Sequence, residues 1–280
     1  MHMNHLQLSN LSYIDLKKSI DQFQTIDFKI SSIADADKLF RLIIKHFVTQ
    51  TMVWREPIIY RARRHNVDKL LFDNTEELIY PKKTTTYGRL NEIGESFFYG
   101  ASHRDTALLE MRPKLGEEFT ILESRLITSE NAPKYMEVGI REIMAKQNHS
   151  PAFMKQNKEM LEITLGTDDN KKRYKLINDF LVSEMTKVIK DHKTHNYKGT
   201  IAIGKFYIKG NPLADGMIYP SISRLGAECI AIKPESYHRF YNPDRCFKIK
   251  IVNVDANGIP TAYCVDNSTK IDTNGQITWT

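Results

Sequence analysis

The chain has 280 residues, enough to bury a full core, and its 41% hydrophobic and 26% charged residues are those of a globular protein. Forty Lys and Arg against 34 Asp and Glu give a net charge of +6, but the cations are scattered. A dedicated nucleic-acid binder concentrates them on one face or arm, so direct nucleic-acid binding is not expected. The three cysteines, Cys229, Cys246 and Cys264, are widely spaced and form no C-x-x-C pair, which fits a reducing, cytoplasmic setting. The first 30 residues lack the apolar core of a signal peptide, and no apolar run approaches the roughly 20 residues of a membrane span.

Residues 1–30 read as polar and weakly patterned. Ala34 to Thr51 carries Leu39, Leu42, Ile43, Phe47 and Val48 at helical spacing and is expected as an amphipathic helix. Ile58-Ile59-Tyr60-Arg61-Ala62-Arg63 is β-branched and aromatic, hence a strand. A polar connection through Asp73, Asn74 and Pro81 leads to Tyr87-Gly88-Arg89-Leu90-Asn91, then Ser96-Phe97-Phe98-Tyr99-Gly100-Ala101. A short helix follows. Ser102 with Asp105 three residues on reads as its N-cap pair, Glu110 sits at the border of its apolar face, and Pro113 closes it.

Phe119 to Ile127 is expected as a strand. Residues from about 133 to 191 read as helical, through Val138, Ile140, Ile143 and Met144, then Met154, Met160 and Leu161, then Tyr174 to Ile189. Gly166-Thr167-Asp168-Asp169-Asn170 interrupts that block as a loop, without the ligand spacing of a calcium site. Beyond Gly199 the chain is β-rich: Thr200 to Ile208, Gly216 to Tyr219, Cys229 to Ile232 and the alternating Phe247 to Val252 are strand candidates. Asn257-Gly258 and Asn274-Gly275 signal hairpin turns. The expected fold class is α+β, a mostly antiparallel sheet. Residues 1–52 form a helical segment, and 53–280 a domain with a helical insertion at about 133–191.

Five separated motifs then matter by their order: Tyr60-Arg61-Ala62-Arg63, Gly88-Arg89-Leu90-Asn91-x-x-Gly94, Tyr99-Gly100-Ala101, Ala107-x-x-Glu110, and Gly216-Met217-Ile218-Tyr219-Pro220-Ser221. Together they resemble the RES family, named for its Arg, Glu and Ser, many members of which are toxins of bacterial toxin–antitoxin pairs. Leu90 stands where that family often has an aromatic, and Glu95 where proline is frequent.

The resemblance implies an ADP-ribosyltransferase-like fold and a site that consumes NAD+, with no metal. By position it implies Glu110, Arg61 and Ser221 as the catalytic set, and Arg61, Arg89, Tyr99 and Ser221 as the groups that hold NAD+. It also suggests an Xre-type helix-turn-helix antitoxin as partner. The chemistry is coherent. Guanidinium forks grip diphosphate oxygens in bidentate fashion. Loss of nicotinamide passes through an oxocarbenium-like state, and one carboxylate beside the ribose stabilises it. An aromatic face at Tyr99 suits a cationic ring. Ser221, without Ser-His-Asp logic around it, positions substrate and is not a nucleophile. Water, phosphate and a protein side chain all remain open as acceptors of ADP-ribose. A non-catalytic nucleotide-binding module is the alternative.

Three further signals have simpler readings. Arg41 to His46 fits the R-x4-H pattern of HEPN-type ribonucleases, but so short a match arises often by accident. His192-Lys193-Thr194-His195 lies at a helix end without a third metal ligand. Lys171-Lys172-Arg173 reads as a solvated helix start.

Overall fold

The computed structural model of the protein describes residues 12–45, 47, 51–53, 56–66, 71–127, 132–140, 165–224 and 226–280. Two helices lead. α1 (Tyr13–Gln24) starts at Ser12, whose hydroxyl accepts from Asp15 N, and buries Leu16, Ile20 and Phe23. These apolar residues fall at i, i+4 and i+7 among charged ones, so this part of the weakly patterned first 30 residues is an amphipathic helix. α2 (Ile33–Ile44) opens with a capping box between Ser32 and Asp35. It stops short of Thr51, which begins β1 (Thr51–Val53).

The central segments follow as β2 (Ile58–Arg64), α3 (Glu76–Ile79), β3 (Phe98–Ala101), α4 (Arg104–Glu110) and β4 (Glu118–Leu126). Lys134–Glu137, expected as helical, is strand β5. Its partners, β1 and the strand that begins at Gly216, lie some 80 residues before and after it, long-range pairings that local periodicity does not report. The expected helical residues Ile143, Met144, Met154, Met160 and Leu161 lie outside the described residues. The loop expected at Gly166–Asn170 is brief: Thr167 caps α5 (Asp168–Met185), so Asp168 and Asp169 form its first turn.

Thr200–Ile208, expected as a strand, is helical: α6 (Lys198–Gly204) runs into a π-helical turn, Lys205–Lys209. Thr200 to Gly204 are buried on every side. Burial all round erases the periodicity that separates a helix from a strand. The chain ends with β6 (Gly216–Pro220), β7 (Glu228–Ile232), α7 (Pro234–Phe240), β8 (Tyr241–Val254), β9 (Pro260–Ile271) and β10 (Ile277–Trp279). Gly258 and Gly275 take positive φ in the two turns joining β8, β9 and β10, as the Asn-Gly pairs predict.

Among the described residues ten strands form one sheet in the order β1-β5-β6-β7-β3-β2-β4-β8-β9-β10. Every pairing is antiparallel except β5 with β6. The fold is therefore α+β with a mostly antiparallel sheet. Alternate residues of β6 and β7 divide between two cores. Met217, Tyr219, Cys229 and Ala231 join Phe23, Phe40, Phe180 and Tyr207 from the helices, while Ile218, Ile230 and Ile232 join Phe98 and Tyr237. The leading helices thus share a core with α5, α6 and the sheet. A smaller cluster lies between α4 and the sheet: Ala62, Ala101, Ala107, Leu108, Phe119 and Ile121. No helix among the described residues is long and apolar enough to cross a membrane.

Candidate active site

The sheet is weakest where it matters most. β2 and β3 meet in a single residue pair, Tyr60 with Ala101, so the two strands part on either side of it. At this point Gly100 allows close approach: a Cβ there would lie 2.6 Å from the Tyr60 carbonyl oxygen and 2.5 Å from Phe98 Cε1. Beside the parting lies a cavity of about 240 Å³ lined by Arg61, Arg89, Tyr99, Glu110, Tyr219 and Cys229, with small residues at Gly88, Gly100 and Ala107.

Arg61 rises from β2. Its Nε donates to Leu78 O at 2.8 Å and its Nη1 to Tyr99 O at 2.8 Å, and its guanidinium lies 6.0 Å from the Phe98 ring centre. A guanidinium has five N–H donors, so the Nη2 pair is left over. Burial, helped by the neighbouring Arg63, lowers Arg61 to about 10, and it stays cationic at neutral pH.

Arg89 reaches the cavity from the turn Gly88–Asn91. That turn closes through Gly88 N donating to Asn91 O, and a Cβ on Gly88 would stand 2.1 Å from Asn91 Oδ1. Arg89 Nη1 donates to Met185 O at 2.6 Å and Nη2 to Lys187 O at 3.3 Å, which satisfies carbonyls at the end of α5. Its guanidinium also lies over Tyr197, 5.6 Å from the ring centre. Tyr99 lines the cavity with its ring. Its hydroxyl donates to Asn91 Oδ1 at 3.0 Å and accepts from Leu90 N at 2.9 Å. Burial raises the phenol, so it remains protonated.

Glu110 is the last residue of α4, whose chain then turns away through Arg112 at φ 48°. The expected cap is not made: His103 holds the N-cap position without a side-chain bond, and Ser102 Oγ donates instead to Glu228 Oε1 at 2.7 Å. The helix end is held by Arg64 Nη2, which donates to Met111 O at 2.7 Å. Glu110 Oε1 accepts from Ser221 Oγ at 2.5 Å, from Ile222 N at 3.0 Å and from Ser223 N at 3.2 Å. Ser221 Oγ itself accepts from Ser223 N and from Arg224 N at 3.0 Å. A hydroxyl and two amides therefore fix one carboxylate oxygen, and Oε2 takes none of these bonds.

Four of the five residues singled out from the sequence, Arg61, Arg89, Tyr99 and Glu110, line the same cavity. Ser221 is buried just behind it, and its hydroxyl is directed at Glu110. The lining side chains not expected from the sequence include Tyr219 and Cys229. Tyr219 and Cys229 are cross-strand partners on β6 and β7 and project from one face. Cys229 is raised well above its ordinary range, by burial first and by the Glu110 charge second, which disfavours the thiolate. Alternation along the last strand motif points at Tyr219, two residues before Ser221, and was the available signal.

The two departures from the family pattern have structural uses. Leu90 is 1% exposed and packs where a Cβ on Gly204 would meet its Cδ2 at 3.0 Å. Glu95 accepts from Glu92 N and pairs with Lys209. Of the R-x4-H pair, Arg41 bonds Asp37 at 2.8 Å, and His46 lies outside the described residues, as does the side chain of His192.

A family model for the RES domain matches residues 58–248, which takes in β2, the whole cavity and the first half of β8. No curated protein and no solved structure matches the chain.

Proposed function

The chain belongs to the RES domain family, and from that membership and its cavity we propose that it cleaves the nicotinamide–ribose bond of NAD+. The observation that carries the reading is the convergence of Arg61, Arg89, Tyr99 and Glu110, drawn from about 50 residues of chain, on one cavity. Two guanidiniums and one carboxylate leave that cavity net positive, which suits an anionic ligand. Its volume is below the roughly 300–1,000 Å³ of sites for drug-sized ligands, so it encloses one end of a dinucleotide and leaves the rest at the mouth. The spare N–H groups of Arg61 and Arg89 are the candidates for the diphosphate.

In the proposed reaction the N-glycosidic bond breaks, and its electron pair leaves with nicotinamide, which departs neutral. Positive charge develops on the ribose, and Glu110, held through Oε1, presents Oε2 to stabilise it. An acceptor oxygen then attacks the anomeric carbon and loses its proton to solvent. The small cavity supports water or inorganic phosphate as acceptor over a protein side chain. A toxin role, restrained by an Xre-type antitoxin, follows from what the family's members do and is part of the proposal.

The test is direct. Purified protein is incubated with NAD+, nicotinamide release is followed, and products are weighed by mass spectrometry with and without phosphate. Glu110→Gln should lower release at least a hundredfold while leaving the thermal midpoint in place. A Glu110→Gln protein as active as wild type would sink the mechanism. NAD+ that is bound but never cleaved by wild type would leave a binding module.

A further inference from the structure

One polar side chain of the cavity makes no hydrogen bond within the fold. Tyr219 is 5% exposed, and its side chain lines the cavity. Its neighbours there are all engaged: the Tyr99 hydroxyl with Asn91 and Leu90, Arg61 with two carbonyls, Arg89 with two more, and Glu110 with Ser221 and two amides. The Tyr219 hydroxyl makes no hydrogen bond among the described residues. The phenols of Tyr135 and Tyr241 act on each other, and that of Tyr207 is unpaired, but these oxygens are shut in the core and line no part of this cavity.

The Tyr219 oxygen is not shut in like the unpaired core atoms but opens onto the cavity, where a ligand can supply the missing partner. Burial, together with Cys229, Tyr99 and Glu110 nearby, keeps the phenol well above its ordinary range, so it is a donor at neutral pH. Its place on β6 is two residues before Ser221, the residue that grips Glu110.

We infer that the Tyr219 hydroxyl donates a hydrogen bond to an oxygen on the nicotinamide riboside end of the ligand, beside Glu110. The inference rests on the NAD+ reading and adds to it a substrate-contacting residue on the strand that carries Ser221.

The experiment uses the full chain with Glu110→Gln, so that NAD+ is bound and not consumed, with and without Tyr219→Phe. Titration calorimetry with NAD+ should show the added substitution weakening binding about three- to tenfold, the worth of one hydrogen bond. Binding of ADP, which lacks the riboside, should be unchanged. Without ligand, Tyr219→Phe should unfold at the same temperature or higher, because no partner is lost. Equal NAD+ affinity with and without the phenol would overturn the inference and leave the NAD+ reading standing. An equal loss for ADP would overturn the placement at the riboside end. A drop in thermal midpoint would mean the hydroxyl serves the fold. Failure of the Glu110→Gln parent to bind NAD+ would overturn the reading beneath it, whatever Tyr219 does.

Discussion

Ser221 Oγ stands 2.5 Å from Glu110 Oε1 and donates to it across 111 residues of chain. The same hydroxyl accepts from Ser223 N and Arg224 N, so it joins the end of α4 to the turn after β6. Its chemistry is to hold a carboxylate still: with Oε1 fixed, the direction of Oε2 is fixed too.

That arrangement makes Ser221→Ala a test of positioning. The variant should lose on the order of ten- to a hundredfold in turnover, as removal of an orienting partner commonly does, with KM nearly unchanged. Stability should fall by about 1–3 kcal/mol, because the amides of Ser223 and Arg224 lose a buried acceptor. Steady-state kinetics and urea unfolding give the two numbers. A raised KM with intact turnover would mean that the hydroxyl binds substrate, the role expected from sequence.

Arg89 is predicted to serve two masters. Arg89→Ala should weaken NAD+ binding and also lower stability by about 1–3 kcal/mol, since the Met185 and Lys187 carbonyls lose their donors. Arg89→Lys keeps the charge but cannot span both carbonyls, so it should recover part of the affinity and little of the stability. Calorimetric binding beside a thermal melt separates the two. Full stability in Arg89→Ala would show that the end of α5 does not depend on this side chain.

How much of this was legible can be judged residue by residue. Arg61, Arg89, Tyr99 and Glu110 were found because motif order along a chain survives folding, and the cavity gathers them. The grip on Glu110 was not found, because it depends on how β6 ends beside α4, a long-range fact. Tyr219 is half legible: strand alternation puts it on the face of Ser221, but its place beside Cys229 and its lack of a hydrogen-bond partner appear only in the fold.

The fold shows the same division. The strands β2, β4, β6 and β7 and both Asn-Gly turns follow from local pattern. α6 was mistaken for a strand because Ile201, Ala202 and Ile203 are all buried and no polar face marks the period. β5 is expected as helix because only its long-range pairings, antiparallel with β1 and parallel with β6, distinguish it.

Arg61 supplies a pH dependence with a definite sign. Folding lowers it from its ordinary value to about 10, so between those two values the unfolded chain binds more protons than the folded one. Burying the cation is therefore a penalty at full strength below about 10, relieved as pH climbs from there toward the ordinary value of an arginine. Ligand affinity runs the other way, since the anion needs the charged form. NAD+ binding should be flat with respect to this group from neutral pH upward and fall as pH passes about 10. Arg61→Lys should move that fall to lower pH, because an ammonium loses its proton more readily when buried. An unchanged alkaline limb in Arg61→Lys would assign the titration to another group.

The last prediction concerns the seam that lets the cavity form. A methyl added at Gly100 would sit 2.5 Å from Phe98 Cε1 and 2.6 Å from the Tyr60 carbonyl oxygen. The ring is buried and stacked on Tyr237, and the carbonyl belongs to the backbone of β2, so the strand itself must move. Overpacking of this kind costs about 1–3 kcal/mol. The displacement acts where Tyr60 meets Ala101, one residue from Arg61, whose Nη1 is fixed by Tyr99 O on the same strand as Gly100. Gly100→Ala should therefore lower the urea midpoint without changing the slope, and it should weaken NAD+ binding although residue 100 would offer a ligand only a methyl. Gly94→Ala makes a control: that glycine also belongs to the motif, but its Cβ would meet nothing within 4 Å. Its cost should come only from its φ of 85°, with affinity preserved. If Gly100→Ala loses stability but binds NAD+ as wild type does, the seam supports the fold without setting the position of Arg61.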